Sequence, residues 1–436
     1  MTSISGAAER SGWYYGWKIV VVCVLSQIAV YGVPINALSL FLRPWSVELH
    51  VPISRILLFG FGGYGTVYAL VSPIVGFCSD KYPSRRLFSA GLAGMAVFCL
   101  AISFVNAAWQ LLVLFAILLP IALCFSAAVP SNSVVSRWFV RRRGLALGLT
   151  AFGLSMGGIV VPPIIAQVAP EFGWRAIWRF TGIVIAVIVA PVVIWVLRDR
   201  PTAREGLHYV TGGPSKPLHD APSSPSSLGW RDVLARRNFW ILVITYLPLL
   251  ASYLAGAQNL ALIAASHGLS QQTAGALLSA FAISHLTATL VVGLLSDRFG
   301  NRLPLAALAL ATAAGGAITA LGQTGPAIVL GTVLIGAAGG LWPLLAGAAA
   351  IEFGGSGVGR AFGLLMFFLP VPIFAPYAVA RIQEVTGSYA PGLIGLAAIT
   401  LLGGIVCLFM REKTSGRAKP TVSSDDVKKS SADLEP

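Results

Sequence analysis

Charge is scarce in this chain, and its scarcity is uneven. Asp, Glu, Lys and Arg make up 11% of the 436 residues and hydrophobic residues 56%, whereas an average soluble domain carries about 25% charged residues. None of the 16 acidic residues falls in the middle of a long apolar run; each lies in a loop, a tail or at the end of such a run. That excludes a buried pair of carboxylates working as acid and base, and an enzyme is not expected. Cysteine carries no chemistry either. Cys23, Cys78, Cys99, Cys124 and Cys407 lie in or at the edges of separate apolar runs without metal-ligand spacing, as small packing residues do. Residues 1–16 are polar and the first apolar run is long enough to span a bilayer, so no cleavable leader is expected.

What the chain has instead is apolar length. Stretches of about 20 residues with few or no charges match what a helix needs to cross the hydrocarbon core. In the first half they run Ile19–Leu42, Ile56–Cys78, Leu87–Ala107, Trp109–Val135, Gly144–Ala169 and Ile177–Leu197. In the second they run Phe239–Ser266, Ala274–Ser296, Leu303–Gly322, Ala327–Ile351, Phe362–Ala380 and Gly392–Met410. The expected fold class is therefore an all-α integral membrane protein with 12 transmembrane helices. The one long polar break, residues 198–238, holds Pro201, Pro214, Pro217, Pro222 and Pro225 among Ser and Gly. It reads as a flexible linker between an N-terminal six-helix bundle (residues 1–197) and a C-terminal one (residues 239–410). Residues 411–436 read as a disordered tail.

Basic residues are retained on the cytoplasmic side during membrane insertion. With both termini inside, all but five of the 30 Lys and Arg fall in cytoplasmic segments, the exceptions being Arg43, Arg55, Arg175, Arg179 and Arg381. Both termini and the linker are thus expected in the cytoplasm, with the protein in the cytoplasmic membrane. The net charge of +14 then reflects topology and contact with anionic lipid headgroups, and nucleic acid is not an expected partner.

The two halves repeat each other. Gly76-Phe-Cys-Ser-Asp80-Lys81-Tyr-Pro-Ser-Arg85-Arg86 returns 217 residues later as Gly293-Leu-Leu-Ser-Asp297-Arg298-Phe-Gly-Asn-Arg302. Arg143-Gly-Leu-Ala146-Leu-Gly148 returns as Gly359-Arg360-Ala361-Phe-Gly363. A duplicated bundle whose halves move against each other follows. Asp80 and Asp297 close even-numbered spans while Arg143 and Arg360 open the fifth and eleventh, so crossed pairs, Asp80 with Arg360 and Asp297 with Arg143, are candidate gating latches; the alternative is that these charges only fix topology. Two literal motif matches fail on context. Gly60-Phe-Gly62-Gly-Tyr-Gly65 fits a dinucleotide fingerprint but has no strand before it, and Gly153-Leu-Ser155-Met-Gly157 fits a nucleophile elbow inside an apolar span. Small residues that let helices pack closely explain both.

The twinned Gly-x-x-x-Asp-(Lys/Arg) loops resemble the signature loop of the major facilitator superfamily, over roughly Tyr14 to Met410. Arg137-Trp138-Phe139-Val-Arg141-Arg142-Arg143-Gly-Leu-Ala146 and the following residues to Gly157 resemble the fifth-span signature of the monocarboxylate transporter family and of the oxalate–formate antiporters, and Gly12-Trp13-Tyr14-Tyr15-Gly16-Trp17 resembles the start of that family's first span. The resemblance implies two pseudo-symmetric six-helix bundles and a secondary transporter of small organic anions that works by alternating access. The family's cationic anion-binding positions correspond here to Ile35, Thr289 and Leu369, and its eighth-span aspartate to His285, which disfavours small dicarboxylates and favours a bulkier or aromatic monocarboxylate. Tyr31 and Trp342 match aromatic positions that line the family's cavity. An efflux pump for amphipathic compounds is the alternative function.

His285 is the only ionisable side chain at the centre of a span, and such a residue is a functional-site candidate by default. Histidine titrates in the physiological range, so His285 is the candidate for coupling substrate to a proton; the alternative is a histidine satisfied by a neighbouring hydroxyl or carbonyl with no transport role. Gln27, Asn36, Gln258 and Asn259 are uncharged polar groups in the first and seventh spans, each either a bond between helices or a cavity donor. The expected substrate site is thus Tyr31, Asn36, Gln258, Asn259, His285 and Trp342, with Tyr68 and Tyr253 as weaker candidates. The expected partners are a small organic acid, protons and membrane lipids, with no cofactor or metal and a monomeric protein.

Overall fold

The computed structural model describes residues 14–199, apart from 128–129, 132–133, 136–137 and 140–142, and residues 230–410, apart from 346, 349–351, 353–363 and 366. Within these, the side chains of 72–73, 76–77, 79–81, 143–144, 230 and 297 are not described. Most of the expected linker, the tail and the Arg360 copy of the second repeat lie outside the described residues.

Every regular element among the described residues is helical. The first, α1 (Tyr15–Tyr31), meets Pro34, which has no N–H to give to the helix ladder. The chain responds with a widened turn over Gly32–Asn36 and a tight one over Leu38–Leu40. A short α2 (Leu42–Glu48) follows. Ile53–Ile56 then runs through the wide-turned Leu57–Gly62 into Gly63–Lys81, together α3. α4 is Ser84–Ile102; α5 comprises Ala108–Val113, Leu114–Leu118 and Leu119–Ser126. α6 (Arg143–Val184) is extended by Ile185–Val189 and Ala190–Val196. In the second half come α7 (Trp230–Leu234), α8 (Arg237–Ser266), α9 (Gln271–Phe299) and α10 (Arg302–Leu321). They are followed by α11 (Gly325–Gly336, tightening over Ala337–Gly340), α12 (Pro370–Ile373 and Ala375–Thr386) and α13 (Ala390–Cys407).

Among the described residues, ten segments are long and apolar enough to cross a membrane. One of them, Leu145–Val196, has 52 residues, roughly 78 Å of helix and more than twice a bilayer core of about 30 Å. It breaks at Gly173, whose φ of 70° and ψ of 161° suit a residue without a Cβ, so it makes two crossings. With α12 as a further crossing the architecture is consistent with twelve.

Close packing explains the glycine motifs. A Cβ on Gly153 would lie 2.8 Å from the Val24 carbonyl oxygen of α1, and one on Gly62 2.7 Å from the Phe374 ring of α12. The first half has an aromatic core: Phe41, Trp45, Phe98, Phe115 and Trp178 are all buried, with ring centroids 5.2–6.3 Å apart. Each such ring pair contributes about 0.5–1.5 kcal/mol beyond area burial. Near the termini, the two stretches that carry the family resemblance interlock. The Tyr14 hydroxyl donates to the Trp138 carbonyl at 2.5 Å, and the Trp138 indole N–H donates to the Arg198 carbonyl at 2.8 Å.

The halves are closed against each other at the end of the bundle away from the termini. The Ser279 hydroxyl of α9 donates to the Ile159 carbonyl of α6 at 2.6 Å, and a Cβ on Gly158 would lie 2.9 Å from the Ala282 methyl. At the rim, one Glu384 carboxylate oxygen accepts from the Ser54 backbone N–H at 2.9 Å and the other from the Ser54 hydroxyl at 2.7 Å. Glu384 of the second half thereby caps the start of α3 in the first, where helical N–H groups have no intrahelical partner.

Candidate functional site

His285 sits midway along α9 between two neighbours that fix it. From α8 the Tyr253 hydroxyl lies 2.7 Å from Nδ1, with the two rings edge to face at 5.4 Å. From α11 the backbone at Gly339 closes the other side, because a Cβ there would overlap the imidazole ring. The Thr289 hydroxyl, one turn on, donates to the His285 carbonyl at 2.8 Å. The imidazole therefore has one ring nitrogen engaged and a defined orientation. When Nδ1 accepts from Tyr253, the proton of the neutral ring sits on Nε2.

In the first half, Tyr31 is almost fully buried and lies near Tyr68 and Tyr64 of α3. The Tyr64 and Tyr68 rings are 5.8 Å apart. This is a neutral aromatic wall with hydroxyl groups on it. Trp342 is half-buried against the core of the second half.

The amides divide. Gln27 of α1 donates to the Thr150 carbonyl at 3.3 Å and Asn36, in the widened turn after α1, to the Leu154 carbonyl at 3.2 Å, both tying the first span to α6. Asn259 donates to the Ala255 carbonyl at 3.0 Å and, across to α12, to the Pro376 carbonyl at 3.2 Å. Yet the carbonyl oxygens of Gln258 and Asn259 are buried and, among the described residues, have no hydrogen-bond partner. Buried acceptors without partners are rare in proteins, and water or a ligand usually accounts for them. Of the sequence-selected residues, His285 is brought together with Tyr253 and Tyr31 with Tyr68; Asn36 and Asn259 are engaged between helices. The gating candidates Asp80, Arg143, Asp297 and Arg360 have their side chains outside the described residues.

Sequence reasoning missed the charges at the far end. Partial burial pushes the Glu384 carboxyl up, but the hydrogen bonds from Ser54 and from Arg381 outweigh it and hold the group below the ordinary glutamate value. Glu48 is likewise lowered: burial opposes, and Arg175 and the Trp174 indole N–H prevail. The same Arg175 donates to the Val105 carbonyl at 2.9 Å and to Asn106 at 3.2 Å, joining the loops of the first half. Only Ser54 left a signal, following Pro52 at the head of an apolar run as helix-capping residues do.

The family model of the Major Facilitator Superfamily matches residues 20–260 and 249–432. The chain belongs to this superfamily of multi-pass membrane transporters. It is 24% identical over 296 residues, 68% of this chain and 94% of the other, to the MFS-type transporter pytF of Aspergillus terreus. To the MFS transporter asaE of Aspergillus flavus it is 24% identical over 411 residues, 91% of this chain and 86% of the other. Among solved structures, a bacterial homologue of the human lysosomal transporter Spinster, inward-facing and unoccupied, superposes with a TM-score of 0.72 at 15% identity, covering 91% of this chain and 96% of that one. The chain is thus a transporter of small molecules rather than an enzyme.

Proposed function

We propose that this transporter moves a monocarboxylate with an apolar or aromatic body by alternating access, coupled to a proton at His285. The observation that carries the reading is the Tyr253–His285 pair, a titratable group held in a fixed orientation inside the spanning part of the second half. No carboxylate stands in the middle of any apolar run to do that work. A protonated imidazole would attract a substrate carboxylate, so that substrate and proton are released together on the other side with no net charge moved. Tyr31, Tyr64, Tyr68 and Trp342 supply the stacking surfaces and hydroxyls for the rest of the substrate, and the open carbonyls of Gln258 and Asn259 supply acceptors. The distribution of basic residues supports a cytoplasmic-membrane protein with both termini inside and the Ser54–Glu384 contact on the outer face, and the proposed working unit is the monomer. In the other direction, Asp80 with Arg360 and Asp297 with Arg143 would latch the cytoplasmic side.

The test is uptake of radiolabelled benzoate into proteoliposomes with and without an inward proton gradient. Gradient-driven accumulation that His285→Gln abolishes supports the reading. Accumulation of equal size in both proteins removes proton coupling at His285. The uncharged aromatic wall around Tyr31 favours a second reading, efflux of amphipathic compounds, for which a neutral lipophilic amide would be carried and benzoate would not.

A further inference from the structure

A cavity of about 480 Å³ lies between the halves at their closed end, apart from the His285 centre. Its walls come from the tight turn over Leu38–Leu40 and α2, from Trp174, and from the α8–α9 corner. That volume is within the ordinary range for small-molecule sites, about 300–1,000 Å³. Three features of the lining point to an anion. The Arg43 guanidinium makes no ion pair among the described residues. The 29-residue helix α9 starts on the cavity at Ser270 and Gln271, and its first backbone N–H groups carry the positive end of the helix dipole. Ser39 is 2% exposed, and its hydroxyl, among the described residues, has no hydrogen-bond partner. The one acid in the wall, Glu48, is already engaged by Arg175 and by the Trp174 indole N–H, so it does not cancel Arg43. Leu262 and its apolar neighbours on α8 complete the other side.

Resting on the organic-anion reading above, we infer that this cavity is a second binding site, for an amphipathic monocarboxylate whose head is held by Arg43, Ser39 and the α9 N-terminus and whose apolar body lies against Leu262 and Trp174. The walls belong to both halves, so an occupant ties them together at the closed end and favours the state in which this end is shut. A carboxylate pairs with Arg43 through hydrogen bonds in which both partners are charged, whereas a neutral isostere offers the same arginine only an uncharged acceptor.

The test uses the full-length protein in lipid nanodiscs with Ala265→Cys, a half-buried position on the cavity wall, and the rate at which a maleimide fluorophore labels it. Four of the five native cysteines are buried and Cys78 is half-buried, so the unmodified protein gives the background. Benzoate is expected to slow labelling, and benzamide to need about tenfold more for the same effect, as loss of a charge-assisted hydrogen bond implies. Arg43→Gln should lose the protection, Arg43→Lys should keep most of it, and His285→Gln should leave it in place. If benzoate does not protect, or if protection disappears in His285→Gln, the cavity is not a separate site. Protection without benzoate uptake in proteoliposomes leaves the cavity standing and removes the transport reading; uptake without protection does the reverse.

Discussion

The Tyr253 hydroxyl and Nδ1 of His285 are 2.7 Å apart, joining α8 to α9 within the spanning part of the second half. His285→Gln keeps hydrogen-bonding capacity and removes titration. It is expected to retain substrate binding and to lose the dependence of uptake on the proton gradient. Tyr253→Phe leaves the imidazole titratable but unanchored, at a cost of about 1–3 kcal/mol for a buried group without its partner. Its uptake should fall severalfold with the gradient dependence still present. Uptake against pH for both variants separates the two roles, and a Tyr253→Phe profile identical to that of the unmodified protein would show that Tyr253 orients nothing.

Gly339 stands where a side chain cannot, against the imidazole ring. Gly339→Ala is expected to lower the melting temperature and cut transport, since overpacking a tight contact costs about 1–3 kcal/mol. Combining it with His285→Ala should cost less stability than the two single changes summed, because the second removes the ring that the new methyl meets. Thermal melts of the four proteins read this coupling; additive losses would mean that the methyl is accommodated elsewhere.

The Ser54–Glu384 bond should set the balance between access states. Its carboxyl is held below the ordinary glutamate value by those hydrogen bonds, so the bond is fully present at neutral pH and is lost as pH falls through the lowered value, at which Glu384 protonates. Glu384→Gln mimics that loss at pH 7. Hydrogen bonds to a charged group contribute about 1.5–3 kcal/mol, enough to move a two-state equilibrium about tenfold or more. A cysteine at Ala282, which faces Gly158 across the closed seam, should label faster in Glu384→Gln than in its absence. Unchanged labelling would mean that the seam is held by the α6–α9 packing alone.

For the repeated motif charges, Asp80→Asn and Asp297→Asn are expected to slow transport while leaving binding intact, because they alter a balance of conformations rather than a site. Asp80→Arg combined with Arg360→Asp should recover part of the loss. Cysteine pairs at these positions that cross-link in neither access state would end the idea.

Much of the architecture is legible in the sequence because the bilayer demands it: apolar length gave the crossings, and the doubled loops gave the two halves. Proline alone is a weaker guide: at Pro34 the chain changes its winding, whereas Pro162 and Pro163 stand inside an α-helix that continues. The site was legible where chemistry is unusual, as with a lone histidine in mid-span. Its partners were not. That Tyr253 meets His285, or that Gly339 backs it, depends on the rotation of three helices about their own axes. Hydropathy constrains that rotation weakly when lipid and neighbouring helices are equally apolar. Ser54 and Glu384 are 330 positions apart, and nothing local in either segment names the other. Arg175 and Arg381, placed at the far end by charge distribution alone, prove to be the residues that Glu48 and Glu384 pair with.

The bond at that rim is lopsided in how mutation can reach it. One of the two groups that Ser54 offers is its backbone N–H, which every residue except proline retains. Substitution on the α3 side therefore removes at most the hydroxyl half, whereas one change at Glu384 erases both. Random variation in this transporter will thus find the seam hard to loosen from its first half and easy to loosen from its second.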